Sequence, residues 1–384
     1  MTAPTNLHIT KNNTWTEEEI RQQPSIWLNA INHLENQRVS VDAFLQPILA
    51  CDKLKIILTG AGSSAFIGEM IVPWLNRHIT KEFISVPTTD IVTNPQDYLP
   101  ADCHLLLVSF ARSGNSPESV AAVDLVNQQV PNSYHLVITC NEAGKLYQNG
   151  FKCEKTLTVL LPPETHDRGF AMTSSITTMM AACLAVFSPT HFTLEHFSTI
   201  ANRCQSVMTA QGNFNQAIFG DHPWKRVIYI GSGALQGVAR ESALKVLELT
   251  GGKIAAFYDS ATGFRHGPKS LIDAETLVVQ FISNHPYTRR YDIDLLNELR
   301  VENEAMKVIA LADRHDSDIE NGDHLYFPGE SEAEDADLAF CFLLYAQIFA
   351  LQESLKAGLR PDSPSATGTV NRVVKGVIIY PWLD

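Results

Sequence analysis

The chain has 384 residues, 45% hydrophobic and 18% charged, with 29 Lys and Arg against 42 Asp and Glu and a formal net charge of -13. That length exceeds the size at which one core stops growing, so two globular domains are expected, and an acidic chain without a basic block is a poor fit to nucleic acid. No apolar run nears the roughly 18 residues that span a bilayer, no basic-then-apolar leader opens the chain, and the seven scattered cysteines lack any CxxC pair.

Those thiols read as reduced, so we expect a cytoplasmic protein with no membrane partner, disulfide framework or zinc knuckle. In chain order, Thr16-Glu17-Glu18-Glu19 forms a T-x-x-E capping box that predicts a helix toward Trp27 and Leu34. Residues 1–46 are therefore expected to form a helical arm against the first domain. The apolar runs Lys55–Gly62 (KIILTGAG), Leu105–Phe110 and His135–Asn141 predict strands, and Ser116–Gln129 and Thr173–Phe187 predict helices. The strand runs recur as Arg226–Gly233 (RVIYIGSG), Leu277–Ile282 and Lys307–Asp313, offset by 171 residues at the first glycine (Gly60, Gly231) and by 172 at the other two. Further helices are expected at Gly237–Thr250, Tyr291–Met306 and Ala333–Ala357.

Short continuous Leu/Ile/Val runs are the mark of strands buried on both faces. The expected fold class is α/β, two tandem copies of a parallel sheet flanked by helices, at residues 47–205 and 206–384, joined around Val207 to Pro223. In such sheets ligands bind beyond the C-terminal strand ends. After its second strand the first copy carries Ala111-Arg112-Ser113-Gly114-Asn115-Ser116. Hydroxyls, a glycine and the start of a helix make a phosphate cradle, and the lack of the P-loop lysine points to a monoester; the same residues also suit an ordinary connector. At the matching place the second copy has SNHPYTRRY, with Pro286 and Tyr287 where an anion would nestle.

In the second copy, Glu241, Lys245 and Glu248 fall at i,i+4 and i,i+3 spacing on one face of the helix after the GSG turn. They read either as a solvated ion-pair face or as a half-buried carboxylate tuned for proton transfer beside a lysine. Beyond a strand-like IAAFYD, Gly and Pro place Arg265 and His266 on a loop.

In GAGSS at 60–64, SGNS at 113–116, ESALKVLE at 241–248 and RHGPKSLI at 265–272, the chain resembles the sugar isomerase (SIS) family in its two-domain, flavodoxin- or Rossmann-like form. WTEEEI, ETHDRGFAMTSSITTMM and PSATGTVNRVVKGVIIYPW make it most similar to the galactosamine-6-phosphate deaminase/isomerase branch. The resemblance implies a phosphate site at Ser64, Ser113 and Ser116 with the backbone of Gly114 and Asn115, to which Ser63 and the neighbouring Arg112 are added. It implies that Glu248 moves a proton between C1 and C2, that Glu241 and Lys245 orient the substrate, and that His266 opens the sugar ring from a partner subunit. The implied activity is aldose/ketose isomerisation of a sugar 6-phosphate with release of ammonia from an amino sugar, in a homodimer with shared sites and with neither metal nor cofactor. The chain departs from the synthase-like pattern at Ala111-Arg112, where a hydroxyl is lost, and at the tail, where Asn371, Arg372 or Lys375 falls near the family's lysine. Two other readings stay open. Gly60-x-Gly62-x-x-Ala65 with Glu82 fits a dinucleotide-dependent oxidoreductase, and a non-catalytic sugar-phosphate sensor would need the cradle but not Glu248.

Overall fold

The computed structural model describes residues 14–382 except 101, 220, 221, 328–331, 366, 369 and 375, and only the backbone of 209–218. Lys375 and residues 1–13 of the expected helical arm therefore lie outside the described residues. Two N-terminal helices, α1 (Trp15–Asn36) and α2 (Arg38–Leu49), lead into the first unit. It runs β1 (Leu54–Thr59), α3 (Ser63–His78), β2 (Glu82–Ser85), α4 (Thr88–Thr93), α5 (Pro95–Tyr98), β3 (His104–Ala111), α6 (Pro117–Gln129), β4 (Ser133–Thr139), α7 (Lys145–Gly150), β5 (Thr156–Leu160) and α8 (Ser174–Phe187). Helix α9 (Leu194–Ile218) leads to the second unit: β6 (Arg226–Ile230), α10 (Ala234–Leu249), β7 (Ala255–Asp259), β8 (Thr276–Phe281), α11 (Pro286–Glu302), β9 (Lys307–Ala312), α12 (Ser317–Glu320), β10 (His324–Tyr326) and α13 (Asp335–Lys356). The 205/206 division falls inside α9, and much of the stretch from 207 to 223 is helix.

Both sheets are parallel, with orders β2-β1-β3-β4-β5 and β10-β9-β8-β6-β7. Read from the matching edge, the second repeats the first strand for strand. The turn glycines agree as well: Gly62 and Gly233 precede α3 and α10 with φ of 57° and 60° and ψ of -131° and -126°. Strands β2, β5 and β10 have no long apolar run to announce them because they border their sheets and are partly exposed.

One apolar core runs from Ile20 and Trp27 of α1 through α8 to Phe340 and Leu344 of α13, with Trp27 edge-on to Phe340 at 5.2 Å. The arm thus packs on α8, α9 and α13, touching the second copy as well as the first. Helix α13 is long and apolar enough to cross a membrane, but it is buried in this core, where its Gln347 accepts from Gln23 of α1 at 2.7 Å.

Three local expectations change. The cap of α1 is Thr14, whose hydroxyl accepts the Glu17 N–H at 3.2 Å; Thr16 and Glu19 instead bond Asp362 and the 168–169 backbone. Helix α10 begins at Ala234, three residues before Gly237, so Gly237 sits inside it, where a side chain would press into Met70 of α3. Helix α11 begins at Pro286 and not at Tyr291, since proline suits the first helical position.

Candidate active site

In both sheets the strand order reverses beside the first strand of the copy, and in the first copy a cavity opens there, beyond β1 and β3. Gly62, Ser63 and Ser64 line it from one side and Arg112, Ser113, Gly114 and Ser116 from the other. Helices α3 and α6 start at this cavity with no side-chain cap, so their first-turn N–H groups favour an anion. Gly114 has φ +66°, and a Cβ there would come within 3.2 Å of Gly144. Asn115 does not line the cavity: its Oδ1 accepts the Lys145 N–H at 3.1 Å and its Nδ2 donates to the Ser113 carbonyl at 3.2 Å, bracing the loop. Arg112 lines the cavity while donating to the carbonyls of Phe170 (3.1 Å) and Arg372 (2.7 Å). It thereby ties a wall loop and the C-terminal tail to the cradle. Asn371 and Arg372 line the mouth.

At the matching place in the second copy the turn donors are already met, and not by Pro286 or Tyr287. Tyr287 is 61% exposed and turned outward. The carboxylate of Asp292 takes these donors, accepting from the Ser232 hydroxyl (2.7 Å) and the Ser283 N–H (3.0 Å), and Asp335 accepts from Ser283 Oγ (2.6 Å) and the Asn284 N–H (2.9 Å). Burial pushes Asp292 up to about 6. Donors that face a cavity in one copy are consumed by the chain's own acids in the other.

What the second copy supplies is α10. It packs across α3, with Arg240 paired to Glu69, and carries Glu248 into the first copy's cavity. Lys245 is fully buried and joins three groups: Glu248, Glu241 at 3.2 Å and Ser63 Oγ at 3.1 Å. Burial opposes its charge, but the two carboxylates outweigh burial and raise Lys245. Neither Lys245 nor Glu241 lines the cavity; Lys245 touches two residues that do, Glu248 and Ser63. The Glu248 side chain is 23% exposed.

His266 is not brought to this cavity. It is exposed on the loop after β7, which Arg265 and Lys269 pin to α11 through Glu298, Asp294 and Glu302. Glu82 opens β2, at the end of the sheet away from the cavity, so Gly60-x-Gly62-x-x-Ala65 lacks its ribose acid. Among the described residues no group of three or more His, Cys, Asp or Glu is placed to hold a metal ion.

Residue-by-residue reading missed the opposite wall, Phe170 and Met172, carried by the loop between β5 and α8. The signal was Asp167 ahead of Thr173-Ser174-Ser175: its buried carboxylate accepts their N–H groups at 2.8, 3.2 and 2.9 Å and caps α8.

Two buried acids set a pH dependence. Burial, partly offset by Lys245, pushes Glu241 up to about 7, and burial with the nearby Asp167 pushes Glu19 up to about 8. Each holds a proton that the unfolded chain releases near 4.5, so each contribution is full below that value and is lost as pH rises through the native one. His135, held down to about 4 by burial, acts in the opposite sense only below its ordinary 6.5. Denaturant midpoints are therefore expected to fall between pH 6.5 and 8, and Glu19→Gln to flatten that fall; an equal slope in the variant contradicts it.

A SIS domain family model matches residues 48–189 and 222–357. The chain is 61% identical over 369 residues to D-galactosamine-6-phosphate deaminase AgaS of Escherichia coli, covering 96% of each chain. It is 41% identical over 373 residues to D-galactosamine-6-phosphate deaminase AgaS of Shewanella sp. (strain ANA-3), covering 96% of this chain and 92% of that one. The crystal structure of tagatose-6-phosphate ketose/aldose isomerase from Escherichia coli superposes with a TM-score of 0.91 at 56% identity over 100% of both chains. With matched domains over both sheets and relatives that span nearly its whole length, the chain belongs to the SIS domain family.

Proposed function

We propose that this protein is a sugar-phosphate isomerase/deaminase that converts galactosamine 6-phosphate and water to tagatose 6-phosphate and ammonia. The carrying observation is the placement of Glu248, from one copy, in the anion cradle of the other. The phosphate rests on Ser64, Ser113, Ser116 and the helix starts, far enough from the reacting carbons to anchor and orient the open chain. Glu248 removes the C2 proton from the open aldose and delivers it to C1, through an enolamine. The product is a ketimine at C2. Water adds there and ammonia leaves, so nitrogen is lost without any change in overall oxidation state. Lys245 holds the Glu248 carboxylate in place, and Ser63 and Glu241 hold Lys245.

Ring opening is assigned to the partner subunit's His266 in a cytoplasmic homodimer. The reading is supported by the exposed, ion-pair-pinned loop that presents this histidine away from its own cavity. Mixing a His266→Ala chain with a Glu248→Gln chain is expected to restore about a quarter of wild-type activity, the share set by random pairing in a twofold dimer. No recovery despite demonstrated subunit exchange contradicts a shared site.

The activity itself is tested by incubating the protein with galactosamine 6-phosphate, glucosamine 6-phosphate and the matching neutral sugar phosphates. One ammonia per ketose phosphate from the galacto epimer supports the proposal. Binding of every sugar phosphate with no product from any of them supports a sensor instead.

A further inference from the structure

Glu19 of α1 lies outside the cavity, yet it holds a wall of it. The residue is 5% exposed, and its carboxyl accepts the N–H groups of Arg168 and Gly169, the latter at 3.2 Å to each oxygen. A second tie comes from Arg168, whose guanidinium lies 4.3 Å above the Trp15 ring. The fit at Gly169 is close: a Cβ there would stand 2.8 Å from both Glu19 Oε2 and Thr16 Oγ1. From the other side, Arg372 donates to the Asp167 and Gly169 carbonyls and Arg112 to the Phe170 carbonyl. The loop is thus clamped between an acid that takes its N–H groups and two arginines that take its carbonyls. It hands Phe170 and Met172 to the cavity.

We propose that Glu19 is a positioning residue for catalysis, fixing the 168–172 loop so that Phe170 and Met172 form the wall on which the substrate closes. This deepens the sugar-phosphate reading above and rests on it for its kinetic arm. Burial and the nearby Asp167 push this carboxyl up to about 8, so it acts as an uncharged acceptor at neutral pH, a part that an amide of the same reach can also play. What it gains is order in one loop.

The test compares Glu19→Ala, Glu19→Asp and Glu19→Gln in the full chain, well below their melting temperatures. Glutamine keeps an acceptor at the same reach; alanine removes it and aspartate withdraws it. For Glu19→Ala we expect KM for galactosamine 6-phosphate to rise about tenfold with kcat within about threefold, since uniform binding is lost and the base is untouched. Tryptic cleavage after Arg168 should accelerate by about the same factor, as the clamp opens. Glu19→Asp should share both effects, so the test stands if the alanine variant does not fold, and Glu19→Gln should resemble wild type. Unchanged KM and cleavage in the folded alanine or aspartate variants overturns the proposal, as does a glutamine variant as impaired as either. Cleavage at Arg168 needs no substrate. An inactive wild type would therefore sink the functional reading while leaving the role of Glu19 in the loop to be decided by proteolysis.

Discussion

Glu248→Gln is expected to leave a folded protein that still binds sugar phosphate but turns it over about 10²–10⁴-fold more slowly, the range for loss of a general base. The amide keeps the shape of the side chain and can hydrogen-bond a substrate hydroxyl. It cannot accept a proton at neutral pH. The fold survives because Lys245 keeps its other carboxylate, Glu241, at 3.2 Å, and Ser63 at 3.1 Å. Exchange of the C2 hydrogen with deuterated solvent should fall in step with turnover, because both need the same proton transfer. A folded variant with near wild-type turnover would sink the assignment and leave Glu248 as one arm of an ion pair.

Lys245→Met is expected to damage both stability and catalysis. The ammonium is fully buried between Glu241 and Glu248, so its removal takes away the cation that favours the ionised form of Glu241 and the partner that holds Glu248. Breaking a buried pair from one side costs about 3–5 kcal/mol, a large share of the roughly 5–15 kcal/mol that holds a typical domain folded. Turnover should fall because Glu248 loses the partner that aims it. Adding Glu241→Gln to Lys245→Met separates the two effects: stability should recover in part, because the amide stays neutral at every pH, whereas turnover should stay low with Glu248 still unanchored. Denaturant midpoints and kcat measured on the same preparations decide it. Recovery of turnover together with stability would show that Lys245 serves the fold alone.

The contrast between these two residues shows where one-dimensional reading stops. Glu248 and Lys245 were visible as neighbours on one helical face, because i,i+3 and i,i+4 spacing is a property of the local backbone. Whether that face met water was not visible. It is settled by α3, on the other copy, which α10 approaches closely at Gly237 and whose first residue, Ser63, closes over Lys245. A solvated ion pair and a buried one have the same sequence.

His266 marks a second limit, since a loop pinned to its own domain through Glu298 and Glu302 can be recognised as exposed but not paired with a site by spacing. Asp292 marks a third. Tyr287 looked like the obstacle to an anion in the second copy because it is bulky and adjacent in sequence, yet the obstacle is a carboxylate that reaches the crevice from the second turn of α11.

By itself the sequence determined the two α/β copies, because buried parallel strands demand continuous apolar runs and a duplicated unit repeats them at a constant offset. It also placed Ser113, Gly114 and Ser116 together on one turn, because they are contiguous or nearly so and the backbone conformation at Gly114 is a local matter. Only the tertiary structure decided that the second copy's turn donors are answered by its own acids, which acid is aimed into the first copy's cavity, and that Glu19, Arg112 and Arg372 clamp its far wall. Those outcomes depend on which surfaces remove a charge from water and which donors then answer it, and residues from different elements, some far apart in the chain, supply both.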